Sequence, residues 1–157
     1  MQNISPKKLP PNATHIILES ISDGVFTVDM NWTVTFFNKA AEKITRISRE
    51  EAIGRYCFEV FRSNLCETNC ALSQTMNQNQ EVVGKSGYIT NRKGERIPVS
   101  ISTALLKDEN SKILGGVETF RDTSEEEYLR QELKEQFRMG DIVSRSKSMY
   151  KIFKMLP

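Results

Sequence analysis

The segment 95–106, ERIPVSISTALL, constrains this chain more than any other stretch. Ile97, Val99, Ile101, Thr103 and Leu105 alternate with Pro98, Ser100, Ser102 and Ala104. A period of two places one set on a single buried face of a β-strand. Upstream, EVVGKSGYITN (81–91) reads as the partner strand, with Arg92, Lys93 and Gly94 in the turn between them. Downstream, the polar break KDENSK leads into ILGGVETFRD (113–122), a final strand. An earlier pair, VFTVD (25–29) and TVTFFN (33–38), is β-branched and aromatic. Met30, Asn31 and Trp32 between them are few enough for an antiparallel hairpin.

Short helices fill the remainder. THIILESISDG (14–24) places Ile17, Leu18 and Ile21 on one face, with Gly24 as its stop. Asn38 precedes KAAEKIT and suits an N-cap, because its side-chain oxygen can accept a backbone amide. Ser48 and Glu51 form a capping box for a helix ending near Gly54, and 71–79 is a further short helix. Two strands, several short helices and three strands give an α+β domain rather than a parallel α/β sheet. Residues 1–12 carry three prolines and read as a flexible leader before a domain over 13–124.

After Asp122 the character changes. Ser124 and Glu127 form another capping box, and the acids 125–127 sit where the helix dipole favours negative charge. Leu129, Leu133 and Phe137 recur at steps of four along a helix over 125–139, a narrow seam suited to pairing with a second copy. Gly140 is the expected end of that helix, and 140–157 the start of a new amphipathic one.

Composition removes several classes. With 22 basic and 20 acidic residues and no concentration of either, nothing marks a nucleic-acid surface. No apolar run can span a bilayer, and the N-terminus lacks a signal peptide, so the cytoplasm is the expected compartment. Three cysteines there argue against a disulfide framework.

Those cysteines, Cys57, Cys66 and Cys70, are the one local cluster able to carry chemistry. Cys66 and Cys70 are four apart, which on a helical turn puts both thiols on one face. Three readings stay open. Free cysteine packs as a small hydrophobe. Three thiolates suit a metal or an iron–sulfur cluster, although a closed zinc site needs a fourth ligand. His15 near the N-terminus, Glu67 or a residue of a second subunit are the candidates for it. A redox switch would need a lowered thiol pKa, which Arg55 or Arg62 could supply.

The run DGVFTVDMNWTVTFFNKAAEKITRISREEAIGR, the hairpin TNRKGERIPVSIS and the closing ETFRDTSEEE together resemble a PAS domain. The resemblance covers about residues 17–127. It implies a five-stranded antiparallel sheet flanked by short helices, a pocket between helices and sheet for a small ligand, and a role in sensing and homodimerisation. It makes Asn38 the cap tying the second strand to the next helix, and Asp122 and Thr123 the junction to a signalling helix. GRYCFEVF (54–61) aligns with the reactive-cysteine run of photosensory flavin PAS domains. Tyr56, Phe58 and Val60 or Phe61 replace its polar flavin contacts, so the resemblance does not extend to flavin. Nor does helix 71–79 offer a histidine for haem; Met76 is a poor substitute.

The tail DIVSRSKSMYKIFKMLP is similar to the opening segment of the AAA+ domain in sigma-54-dependent activators, through Ser144, Ser146, Met149, Ile152 and Phe153. The expected parent is such an activator, meeting sigma-54 RNA polymerase and DNA only through domains outside this sequence. No phosphate loop is present, so this chain itself is not expected to be an enzyme. Two alternatives are the sensor of a histidine kinase, which needs a later histidine although none follows His15, and a small-ligand-binding PAS domain with structural cysteines.

Overall fold

A computed structural model describes residues 10–66 and 70–155, with side chains described as far as residue 142. The alternating segment forms β4 (Arg96–Lys107), which lies between β3 (Val82–Thr90) and β5 (Ile113–Asp122). With β1 (Gly24–Asp29) and β2 (Val34–Phe37) the sheet order is β2-β1-β5-β4-β3, antiparallel at every pairing. Last in sequence, β5 is therefore the central strand. It pairs Phe26 of β1 and Thr103 of β4 on either side of Glu118.

Among the described residues five short helices accompany the sheet: α1 (Ala13–Ser20), α2 (Lys39–Thr45), α3 (Arg49–Ala52), α4 (Cys57–Val60) and α5 (Ala71–Gln78). Val28, Phe37, Ile89, Val99, Ile101 and Phe120 from the sheet form one buried cluster with Ala41, Ala52, Val60 and Leu72 from the helices. Phe26, Phe61 and Phe120 pack at centroid distances of 5.2, 6.1 and 4.8 Å within it. Each such ring contributes about 1.5–3 kcal/mol by leaving water.

Asn38 caps α2 by accepting from the Ala41 amide, as an N-cap asparagine should. Its oxygen also accepts from Val25 N at 2.9 Å, and its amide nitrogen donates to Leu18 O and Asp23 O at 2.8 and 3.0 Å. One fully buried side chain thus ties α1, β1 and α2 together.

Three local expectations need correction. The first helix stops at Ser20, and Gly24 opens β1 instead of closing a helix. A Cβ there would fall 2.3 Å from Phe120 Cζ, so the position needs glycine for close packing. Cys66 and Cys70 do not share a helical turn: Cys66 lies in a turn, and Cys70 is the extended residue flanking α5. Finally, α6 (Ser124–Met155) runs straight through Gly140. A glycine costs about 1 kcal/mol in a helix interior, too little to break one flanked by good helix formers.

The chain divides into two units between Asp122 and Thr123. At 32 residues α6 is about 48 Å long, from 1.5 Å per residue. Leu129, Leu133 and Phe137 are 51%, 56% and 78% exposed on it. No helix among the described residues is long and apolar enough to cross a membrane. Most of the leader, residues 1–9, lies outside the described residues, as do Glu67 and the side chains of Ser144, Ser146, Met149, Ile152 and Phe153.

Candidate functional site

The interior face of β5 carries Gly116, Glu118 and Phe120, all buried. A carboxyl in that row is anomalous, because charged side chains are buried only when paired. Glu118 is 5% exposed, and no hydrogen-bond or ion-pair partner of its carboxyl is found among the described residues. Burial alone pushes its pKa up to about 8, so the group is mostly protonated at neutral pH.

Around it the chain assembles a mixed polar and apolar wall. Phe26 and Thr103 flank Glu118 in register on the neighbouring strands. Thr103 Oγ1 shares a 2.5 Å hydrogen bond with Thr75 Oγ1 of α5. Cys57, the first residue of α4, faces the acid closely enough to feel its charge. Its thiol is pushed up to about 12 by burial first, then by Cys70, Glu118 and Cys66, against a lowering by the Phe58 backbone amide. Three acidic neighbours, Cys70, Glu118 and Cys66, therefore each oppose the ionisation of Cys57.

Of the sequence-derived cysteines, all three gather here, and none is in a disulfide. Cys66 donates through its thiol to Phe61 O at 3.2 Å. Arg55 does not lower the Cys57 pKa; it pairs with Glu59 at 3.6 Å. At neutral pH Cys57 is a thiol, the reverse of what a redox-switching thiolate requires. Among the described residues no three His, Cys, Asp or Glu side chains form a group able to hold a metal ion. His15, considered as a fourth ligand, is an exposed residue of α1.

Glu118 escaped the sequence reading. The signal was present in the period of two, which puts 118 on the face of Phe120. Val117 and Thr119 are equally good strand formers, however, so neither face of β5 declared itself.

At the other end of β5, Asp122 is the last strand residue and pairs with Val99. Thr123 alone separates it from α6, and its carbonyl accepts from Glu127 N at 2.9 Å. The helix thus begins at Ser124, with Thr123 rather than Ser124 flanking it.

A family model described as PAS domain matches residues 22–125. No curated protein matches the chain. Among solved structures, the PAS domain of a protein from Colwellia psychrerythraea is similar at a TM-score of 0.59 and 18% identity, over 69% of this chain and 92% of that one. A PAS domain from a two-component sensor histidine kinase gives 0.57 and 16%, over 69% and 92%. An RNA-binding light-oxygen-voltage receptor gives 0.66 and 14% over 88% of this chain, which spans 40% of that structure.

Proposed function

The chain belongs to the PAS domain family, and we propose that it is the sensory and dimerising segment of a sigma-54-dependent transcriptional activator. The signal enters at the interior wall of Glu118 and Cys57 and leaves through Asp122 and Thr123. The observation that carries this reading is the single-residue connection from central β5 to α6. Glu118 lies four residues before the end of that strand, so a displacement of β5 has almost no linker to absorb it. A ligand or proton shifts the output only by favouring one of two arrangements of α6.

Leu129, Leu133 and Phe137 form the seam with α6 of a second copy, where their exposed surface would be covered. The resemblance of the tail to an AAA+ opening segment supports the activator as parent. A sensor-kinase parent is the second reading, supported by the likeness to the sensor-kinase PAS domain, and it requires a phosphoacceptor histidine further along the polypeptide. Sedimentation equilibrium tests the seam: Leu133→Asp should convert dimer to monomer. A wild-type monomer, or a variant of unchanged mass, would contradict it.

A further inference from the structure

We propose that the cleft between the segment after α4 and the outer face of β3 and β4 binds an organic anion carrying an aromatic ring. The cleft has a volume of about 600 Å³, within the roughly 300–1,000 Å³ typical of small-molecule sites. Its strand residues lie on the face of the sheet opposite Glu118. Ile89 is buried on the inner face, so Tyr88 and Thr90 project outward, with Arg96 opposite Thr90 in register.

The wall is built by backbone pairing. Thr90 N donates to Arg62 O at 2.9 Å, Asn64 N to Tyr88 O at 3.1 Å, and Tyr88 N to Asn64 Oδ1 at 2.9 Å. These bonds hold Arg62 and Asn64 along the edge of β3, and Cys66 N turns back to donate to Ser63 O at 3.2 Å. Arg96 Cζ sits 4.5 Å over the Tyr88 ring, which orients the guanidinium by a cation–π contact while leaving its N–H edge for an anion.

Charge and exposure select the ligand class. The cleft has no acid in its described lining. Arg62 and Arg96 have no carboxylate partner among the described residues, whereas nearby Arg55 and Arg92 pair with Glu59 and Glu51. Two guanidiniums with no ion pair among the described residues match a carboxylate or phosphate, which they can grip with paired hydrogen bonds. Beside them Phe58 is 54% exposed and stacks at 5.4 Å on Tyr56, itself 50% exposed. Two large rings left on the surface form a shelf for another ring.

The experiment is calorimetric titration of the whole chain with 2-naphthoate, adenosine monophosphate, cyclohexanecarboxylate and inorganic phosphate. Saturable binding of naphthoate or the nucleotide is expected, and which of the two binds more tightly distinguishes a carboxylate from a phosphate source. Arg62→Gln and Arg96→Gln should each weaken it about tenfold or more, as loss of a charge-assisted hydrogen bond implies. Phe58→Ala should abolish the preference over cyclohexanecarboxylate. Bound naphthoate should also slow alkylation of Cys66, a lining residue that a remote site would leave unaffected. Both arginines are exposed, so an unchanged thermal midpoint verifies that each variant is folded. No saturable binding of either aromatic anion at millimolar concentration, or binding indifferent to Arg96→Gln, would overturn the proposal. Leu133→Asp should leave the titration unchanged, which separates this inference from the proposed dimer seam.

Discussion

Asn38 and Glu118 are both polar side chains in the interior of one domain, and they are treated in opposite ways. Asn38 is wholly buried and makes four hydrogen bonds, two as acceptor and two as donor. Glu118 is nearly as buried, and its carboxyl has no partner among the described residues. A satisfied buried amide fixes structure, because removing it strands every group it served. An unpaired buried carboxyl fixes nothing. It adapts by keeping its proton, and so remains responsive to pH or to an arriving cation. The contrast separates a structural residue from a candidate input.

The largest expected effect breaks the structural half. Asn38→Leu leaves Val25 N, Ala41 N, Leu18 O and Asp23 O without their bonds and should destabilise the domain by about 3–5 kcal/mol. Urea unfolding at several pH values should show that loss equally throughout. A loss below about 1 kcal/mol would remove Asn38 from its role.

Next comes Glu118→Gln, whose effect should depend on pH. The folded carboxyl titrates near 8 against an ordinary value of 4.5. As pH rises from 4.5 the unfolded chain loses this proton before the folded one does. Wild-type stability should therefore fall from pH 4.5 towards 8 and then level, whereas the glutamine variant lacks this contribution. The gap between the two proteins should grow in favour of the variant by a few kcal/mol, at about 1.4 kcal/mol per pKa unit. Parallel stability curves would show Glu118 to be an ordinary acid.

A smaller effect calibrates the comparison at the surface. Ser48 accepts from Glu51 N at 3.3 Å in an exposed cap. Ser48→Ala should cost about 1 kcal/mol in thermal unfolding, and a cost matching that of Asn38→Leu would erase the distinction between exposed and interior caps. No effect at all is expected from Cys66→Ala on metal content. Protein purified without oxygen should contain iron and zinc well below one per chain, and a stoichiometric metal lost in that variant would make the thiols ligands.

The two interior residues also mark what can be read from a chain alone. Asn38 was legible because an N-cap has a local signature, the right side chain one residue before a helical pattern. Its reach to Leu18, twenty residues earlier, is a tertiary fact with no such signature. Glu118 was hidden because β5 has strand formers on both faces, leaving its inward direction to be set by pairing with β1 and β4. The spacing of Cys66 and Cys70 misled for a related reason. A step of four means proximity only within a helix, and α5 begins after both. Glycine is a helix-stop signal at both 24 and 140, yet Gly24 opens a strand beneath Phe120 and Gly140 is carried inside α6.

The responsive interior acid is most directly tested by following the Glu118 side-chain carboxyl carbon by nuclear magnetic resonance across pH, with Glu118→Gln to assign it. An inflection near 8 is predicted. An inflection near the ordinary value of 4.5 would mean that the carboxyl is hydrated or paired, and would contradict its assignment as the input.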